Sequence, residues 1–130
     1  MNKSITIHRV NSGHLELLTP LFNAYRIFYA QQSNPAASKA FLKERIDLKE
    51  SVISLALING QAAGFTQLYP AFSSVTLQRF YILNDLFTSP EFRGYGAGKA
   101  LLDAAKELVI DQGMKGLALE TDLTNPAQKL

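Results

Sequence analysis

The chain has 130 residues, 47% of them hydrophobic and 18% charged, and a formal net charge of +2, which indicates one domain with a real core and excludes a disordered or strongly charged chain. It has no cysteine, and both histidines, His8 and His14, lie near the N-terminus, so disulfides, thiol catalysis, histidine triads and metal sites are not expected. Since it has no Lys/Arg cluster and no apolar run of the ~20 residues that span a bilayer, the sequence predicts a cytoplasmic protein with no nucleic-acid and no membrane partner.

The first third of the chain reads as one strand followed by two helices. Residues 4–10 alternate their side chains as a half-buried strand does. Ser12 is the expected N-cap of a helix whose apolar residues recur at helical spacing over residues 15–29, and Pro20 within that pattern predicts a kink or a later start. Residues 37–48 repeat the helical spacing. The face of this second amphipathic helix is expected to carry Phe41, Leu42, Arg45 and Leu48.

The rest of the chain reads as three successive strands, a helix, a strand and the start of a last helix. Asn59-Gly60 is a strong hairpin signal, because both central residues of a type I′ turn need positive φ; Gly64 is expected at a bulge, and Ser73-Ser74 at a second turn. The predicted bounds are strands over 51–58, 61–72 and 76–88, a helix over 97–112, a strand over 116–121, and a helix that opens at Asn125-Pro126. This order predicts a single mixed α/β domain over residues 1–130, in which an antiparallel meander is followed by a parallel β-α-β unit.

Three glycines at alternating positions lie between the last meander strand and the helix that follows, in the segment Arg93-Gly-Tyr-Gly-Ala-Gly98. Glycine lets the backbone approach a ligand closely and a helix N-terminus offers unpaired N–H groups, so such a turn binds phosphate or pyrophosphate. The alternative is a tight connection without a ligand. A Walker A loop is disfavoured because Ala100 stands where Ser or Thr is required, and a dinucleotide fingerprint because Lys99 stands where glycine is required.

The same segment resembles the Arg/Gln-x-x-Gly-x-Gly/Ala signature of the GNAT N-acetyltransferase superfamily, and the order of elements is similar to that family over residues 5–130. The resemblance implies the GNAT fold, an N-acetyltransferase activity, and acetyl-CoA as co-substrate without a metal. In that family the backbone N–H groups of the loop hold the CoA pyrophosphate. By position, this role falls on Arg93, Gly94, Tyr95, Gly96, Ala97, Gly98 and Lys99.

The resemblance also implies where the thioester lies. Family members splay the strand before the loop from the strand after it, and the pantetheine arm pairs with the exposed backbone, here at Leu86, Phe87 and Thr88. The Leu86 N–H is the implied oxyanion donor to the thioester carbonyl, although Leu86 and Phe87 are also good core residues. A further CoA contact is implied at Thr124 or Asn125.

Asp85 is the one carboxylate in the second half of the long third meander strand. A carboxylate there can bind a cationic amine or take its proton; the alternative is a structural Asp bonded to a neighbouring backbone group. In the family the end of the first helix walls the acceptor site, although aromatic residues at helical spacing more often form core. The implied acceptor-binding residues are Tyr25, Phe28, Tyr29, Tyr69, Phe72, Asn84 and Asp85. A weaker similarity, to the diamine or thialysine acetyltransferases of the small-amine branch, lies in residues 68–74 and 84–87.

The predicted function is transfer of the acetyl group of acetyl-CoA to the primary amine of a small molecule or peptide, by direct attack on the thioester. The family pattern continues into a helix that carries a general-acid tyrosine and then two strands, whereas the sequence ends at Leu130. We therefore expect a shortened form of a longer protein, a fold completed by a partner chain, or a catalytically incomplete acetyl-CoA-binding or interaction domain. Because an open strand edge pairs readily with another chain, self-association as a homo-oligomer is expected.

Overall fold

Five strands form a single mixed sheet in the computed structural model of the protein, which describes residues 4–119. In chain order the elements are β1 (Ile5–Arg9), a 3-10 helix (Ser12–His14), α1 (Leu15–Phe28), α2 (Pro35–Asp47), β2 (Val52–Ile58), β3 (Gln61–Ser73), β4 (Gln78–Thr88), a second 3-10 helix (Pro90–Phe92), α3 (Ala97–Asp111) and β5 (Leu117–Leu119). The sheet order is β1-β2-β3-β4-β5, antiparallel as far as β4 and parallel between β4 and β5. The predicted meander followed by a parallel β-α-β unit is confirmed.

The helices cover the two faces of the sheet and divide the core in two. α1 and α2 lie over one face, where Leu18, Leu42 and Leu55 are fully buried. α3 lies over the other face, where Leu68 and Leu101 are buried. Strand side chains point alternately to the two faces, so the same strands supply both halves of the core. None of the helices within residues 4–119 combines the length and the hydrophobicity that a membrane span requires.

The start of α1 differs from the sequence-based expectation. Asn11, not Ser12, is the capping residue: its Oδ1 accepts a hydrogen bond from the Gly13 N–H at 2.8 Å, and a 3-10 turn precedes the helix. An asparagine one position earlier satisfies the N–H groups of that turn just as a serine cap would. α1 itself begins at Leu15 and continues through Pro20, so the alternative of a later helix start is wrong.

α2 buries a narrow stripe rather than the broad amphipathic face that was expected. Within the helix only Ser38 and Leu42 are buried, whereas Phe41 is 39% exposed and Leu48, just past its end, is 62% exposed. α2 packs along α1, and Phe41 stacks on Phe22 at the rim of that contact with 5.8 Å between ring centroids. A helix that contacts its neighbour along one line buries few apolar residues. The helical spacing of Phe41, Leu42, Arg45 and Leu48 therefore predicted a broader buried face than α2 has.

A single side chain caps the N-terminus of α2. Asn34 Oδ1 accepts a hydrogen bond from the Ala37 N–H at 3.0 Å, and Pro35 occupies the first helical position. We expect Asn34→Ala to lower the free energy of unfolding by ~1 kcal/mol, because the N-cap satisfies a helix N–H that otherwise lacks a protein partner. Urea unfolding measures the change, with Ser74→Ala in an exposed turn as the control. Equal midpoints for the two variants would contradict this role of Asn34.

The turns of the meander confirm one expectation and correct two others. Asn59 and Gly60 have φ angles of 51° and 80°, as the hairpin signal predicts. The second turn lies at residues 74–77, later than the predicted turn at Ser73-Ser74, because Thr76 and Leu77, which are strand-forming residue types, were assigned to the strand. The bulge expected at Gly64 is one residue earlier: pairing between β2 and β3 skips Ala63.

A second bulge, between β3 and β4, decides which face of the sheet receives the polar residues. Gln67 pairs with Asp85 and Leu68 pairs with Leu83, so Asn84 is the extra residue on β4. An extra residue shifts the alternation of side chains by one position. Leu83 therefore packs in the core under α3, whereas the Asp85 side chain points to α1.

Candidate functional site

Asp85 is 5% exposed and is surrounded by neutral hydrogen-bond donors. Its Oδ1 accepts bonds from Tyr25 Oη at 2.7 Å and from Asn84 Nδ2 at 3.0 Å. Its Oδ2 accepts a bond from Gln67 Nε2 at 2.6 Å. These donors come from α1, β3 and β4 and fix the carboxylate in one orientation. Its partners are thus side chains from three elements, not the neighbouring backbone group of the structural alternative.

The electrostatics of Asp85 are those of a buried acid without a counter-ion. None of the ion pairs formed among residues 4–119 includes it. Burial raises the pKa of its carboxyl, and the hydrogen bonds from Gln67, Tyr25 and Asn84 act in the opposite direction because they stabilise the charged form. Burial also raises the pKa of the Tyr25 hydroxyl, and the charge of Asp85 and the hydrogen bond to it raise that pKa further.

Gln67 and Ser51, which sequence analysis missed, orient the carboxylate. Gln67 is fully buried, and its Oε1 accepts a hydrogen bond from Ser51 Oγ at 2.8 Å. Because Oε1 of the Gln67 amide is directed to Ser51, its Nε2 faces Asp85. A signal was available in the sequence: a glutamine inside the apolar stretch from Phe65 to Leu68 must find a partner when the strand is buried.

Aromatic rings form a wall beside Asp85, which we call the aromatic wall. The Tyr25 ring lies edge-on to Phe65 and Phe87, with centroids 5.3 and 5.6 Å apart. Tyr29 packs on Tyr25 at 5.2 Å, and Phe28 packs on Phe87 at 5.9 Å. Phe65 and Phe87 are buried, whereas Phe28 is 44% exposed. The wall therefore belongs to the core on one side and presents an aromatic surface on the other.

Two further aromatic residues expected near the acceptor lie far apart. Tyr69 is close enough to Asp85 that burial and then the carboxylate charge raise its pKa to about 12, against an opposing effect of Arg45. Phe72 is 71% exposed and pairs with Arg79. That pair lies five positions along the hairpin from Asp85, roughly 16 Å at 3.3 Å per residue. The assignment of Phe72 to the acceptor wall is therefore wrong, because the strand carries it to the hairpin tip.

The glycine-rich loop adopts a conformation that depends on its glycines. Gly94 and Gly96 have φ angles of 87° and 90°, a region that residues with side chains rarely occupy. Gly96 is the N-cap of α3, and no side chain in the described part of the chain caps this helix. The N–H groups of the first turn, from Ala97 to Lys99, thus have no partner within the helix. The helix dipole adds partial positive charge at the same point, so the loop can hold an anion.

The two cations of the loop have different surroundings. Arg93 Nε donates to the Thr88 carbonyl at 3.1 Å, and its guanidinium carbon lies 5.5 Å from the centroid of the Phe28 ring. Lys99 Nζ lies 2.9 Å from Asp103 Oδ2 on the exposed side of α3. Arg93 therefore joins the loop to the end of β4 and to the aromatic wall, and Lys99 adds charge at the start of the helix.

The second half of β4 has a side that β5 does not pair with over the described residues. β5 pairs only with residues 81–83 of β4 there. Ser89 N donates to Ala63 O of β3, and N–H groups of successive residues in an antiparallel strand point to opposite sides. The N–H groups of Leu86 and Thr88 therefore point away from β3. The Leu86 side chain packs, partly buried, under α3, so its core role and its backbone orientation coexist.

The expected site residues thus fall into two adjoining groups. One is the carboxylate with the aromatic wall, and the other is the loop with the half of β4 that the described part of β5 does not reach; Arg93 touches both. Thr124 and Asn125, together with the predicted last helix, lie outside the described residues.

Comparisons with known proteins agree on one family. A family model described as the acetyltransferase (GNAT) family matches residues 18–130. The Uncharacterized N-acetyltransferase YhfO of Bacillus subtilis (strain 168) is 48% identical over 121 residues, which are 93% of this chain and 81% of that protein. The crystal structure of a probable acetyltransferase has a TM-score of 0.89 at 39% identity, over 95% of this chain and 83% of that one. Aminoglycoside N-acetyltransferase AAC(6')-Iy in complex with CoA has a TM-score of 0.81 over 99% of this chain and 84% of that one; at 21% identity, it shows likeness of fold alone.

Proposed function

Because this chain belongs to the GNAT family of acetyl-CoA-dependent N-acetyltransferases, we propose that it transfers the acetyl group of acetyl-CoA to a primary amine of a small molecule or peptide. The observation that carries the proposal is the meeting of three features at one end of the sheet: a helix start without a side-chain cap, a strand edge that has no strand partner among residues 4–119, and a buried carboxylate. They correspond to the three requirements of the reaction, which are holding CoA, placing the thioester and removing protons.

The loop from Arg93 to Lys99 is proposed to bind the CoA pyrophosphate. A Cβ at Gly94 would meet no atom within 4 Å, so this side of the loop is open to a ligand. The N–H groups of the α3 start then donate to phosphate oxygens, and the two cations can add charge-assisted hydrogen bonds. The CoA complex of the fold neighbour AAC(6')-Iy supports CoA as the ligand of this fold.

The backbone of Leu86, Phe87 and Thr88 is proposed to bind the pantetheine arm as an added strand. The Leu86 N–H, which points away from β3, then donates to the thioester carbonyl as negative charge develops on its oxygen. A fixed backbone dipole suffices for this role, which explains why a leucine can stand at the reacting centre.

Asp85 is proposed as the final acceptor of the first amine proton. The ordinary pKa of an alkylammonium group lies about 6 above that of an aspartic acid, and burial narrows the difference because it raises the pKa of the carboxyl. The neutral amine then attacks the carbonyl carbon; a C–N bond forms and the C–S bond breaks. The second amine proton goes to the thiolate, so the products are an amide and CoA thiol.

The proposed acceptor is a cationic amine of modest size. Tyr25, Phe28, Tyr29 and Tyr69 offer aromatic faces, which attract ammonium groups. Asn84 and Asp85 supply the polar end of the same region. The likeness of fold to an aminoglycoside N-acetyltransferase supports small amines as the first class to examine.

Thiol release from acetyl-CoA tests the proposal directly. The full chain is assayed against alkylamines, diamines, amino sugars and lysine peptides, and CoA binding is measured by calorimetry. We expect saturable turnover with at least one of these classes. CoA binding without turnover on any amine would favour a catalytically incomplete CoA-binding domain, and absence of CoA binding would contradict both readings.

The pH profile tests the role of Gln67. Its hydrogen bond lowers the pKa of the Asp85 carboxyl, so Gln67→Leu raises that pKa and moves the acidic limb of the kcat/KM profile to higher pH. A hydrogen bond to a charged group contributes about 1.5–3 kcal/mol, so a shift of about one pH unit or more is expected. Ser51→Ala removes the hydrogen bond that orients the Gln67 amide but keeps the amide itself, so it is expected to shift the acidic limb less. An unchanged limb or a shift to lower pH would contradict the assignment.

A further inference from the structure

The carboxylate of Asp85 is closed off by its own hydrogen-bond donors. Asp85 is 5% exposed, and Tyr25, Asn84 and Gln67 occupy positions on its two oxygens. Gln67 is fully buried and holds Ser51 on its far side. An ammonium group that approaches from the aromatic wall therefore meets this ring of donors before it meets the carboxylate.

Among these three donors, only the tyrosine hydroxyl can pass a proton on. The side-chain NH2 groups of Asn84 and Gln67 donate to the carboxylate. An amide nitrogen cannot accept a proton from the ammonium and pass its own proton to Asp85 without becoming charged or rearranging to the imidic acid. The Tyr25 hydroxyl donates to Oδ1 of Asp85 through its single proton and keeps oxygen lone pairs for a second donor. Its ring packs edge-on against both Phe65 and Phe87, which helps to hold the hydroxyl on the carboxylate.

We propose that Tyr25 is a catalytic residue that takes the first proton of the acceptor ammonium and passes its own proton to Asp85. This inference rests on the proposed function and adds the contact through which the acceptor is deprotonated. The ammonium N–H donates to Tyr25 Oη; as that proton moves to the oxygen, the tyrosine proton crosses the 2.7 Å bond to Oδ1. The result is a neutral amine, a neutral tyrosine and a protonated Asp85, so protons and charge balance.

The surroundings of the hydroxyl favour a transfer in which both protons move together. Burial and the adjacent carboxylate raise the pKa of Tyr25, which disfavours a free tyrosinate. The raised pKa of Asp85 makes the carboxylate a stronger base than an exposed one. Tyr25 thus acts as a bridge, and Asp85 carries the proton until CoA and the amide leave.

Amines of different basicity test the bridge. With an alkylamine that is protonated at the assay pH, Tyr25→Phe is expected to lower kcat by about 30-fold, less than the 10²–10⁴-fold typical of general acid–base groups, because a water can partly replace the hydroxyl. With a weakly basic amine that is already neutral, the loss should fall below about 3-fold, because the first proton is no longer there to remove. An equal loss with both amines would overturn the bridge and leave Tyr25 as a structural residue.

Tyr81→Phe is the matched control. Tyr81 lies on the other face of the sheet and donates to Gln112 Oε1 at the same 2.7 Å, so the variant removes an equivalent hydrogen bond remote from the carboxylate. Its kcat should equal that of the wild type with both amines. CoA affinity, measured by calorimetry, should be unchanged in both variants.

The wild-type protein supplies a second measurement that does not depend on the folding of a variant. When two protons move in the same step, the single-turnover rate constant depends on the deuterium fraction of the solvent along a curve. When one proton moves, the dependence is a straight line. A straight line would overturn the inference but not the proposed function. Absence of turnover with every amine would instead overturn the proposed function itself.

Discussion

Replacing Asp85 by asparagine is expected to lower kcat about 10³-fold with basic amines, because general acid–base groups contribute 10²–10⁴-fold and no other carboxylate is bonded to Tyr25 among the described residues. Asp85→Asn keeps the size of the side chain and removes its ability to take a proton. CoA affinity should not change, because the loop lies on a different element and the proposed CoA contacts on β4 are backbone groups that this side-chain substitution leaves in place. Turnover assays and calorimetry on the same preparations separate the two effects; wild-type turnover would make Asp85 a purely structural residue.

The same variant is expected to stabilise the fold at neutral pH. Because the pKa of Asp85 is raised in the folded protein above its ordinary value of 3.8, the folded state keeps this proton to higher pH than the unfolded state. The contribution of Asp85 to stability therefore falls as pH rises from about 3.8 through the folded pKa. The new amide avoids a clash with the donor of Gln67 if the Gln67 amide rotates by half a turn. Melting temperatures should thus be higher for Asp85→Asn at pH 7 and converge with the wild type near pH 4.

Gly96→Val is expected to weaken CoA binding about 100-fold. Gly96 has a φ of 90°, which costs a β-branched residue on the order of 1–3 kcal/mol, so the backbone must leave the conformation that aims the first N–H groups of α3. Each hydrogen bond to a charged phosphate that is lost contributes about 1.5–3 kcal/mol. Isothermal titration with CoA measures the change, and unaltered affinity in a folded variant would contradict a pyrophosphate site at this loop.

Gly60→Val provides the matched control for that experiment. Gly60 has a φ of 80° in the β2–β3 hairpin, and a Cβ there would meet no atom within 4 Å. The two glycines therefore impose a similar backbone strain when replaced, one at the loop and one at a remote turn. Both variants should lose comparable stability in urea unfolding, but only Gly96→Val should lose CoA affinity. Equal losses of affinity would mean that general destabilisation, not the loop, explains the effect.

Local signals were sufficient for most of the fold and for one half of the site. The Asn59-Gly60 turn and the change from helical to alternating periodicity predicted the meander, and the glycines before α3 marked the turn that we propose binds an anion. These features depend on residues that are neighbours in sequence, where backbone preferences act directly. The fold class and the family could therefore be assigned before any contact was known.

The other half of the site depends on contacts between distant segments. Tyr25 and Asp85 are separated by 60 positions, and Gln67 and Asp85 by 18, so no spacing rule connects them. The face on which Asp85 lies depends on the pairing of β3 with β4, which single-strand patterns do not encode. The narrow contact of α2 was misjudged for the same reason, since its depth is set by α1 rather than by its own composition.

Asn84 also has a consequence for how this strand can change over evolution. The two halves of β4, one with Leu83 under α3 and the other with Asp85 toward α1, run in opposite phase, and the phase changes at this single residue. Pairing Asn84 as a regular strand residue would turn Asp85 into the apolar layer under α3 and Leu86 out toward α1, so both layers would fail together; deletion of Asn84, by contrast, would leave Asp85 opposite Gln67 and facing α1. Exchange of side chains in the aromatic wall leaves the phase untouched. Point substitutions along α1 can therefore remodel the aromatic wall alone, whereas Asp85 stays on the α1 face only while residue 84 remains outside the regular pairing or is absent.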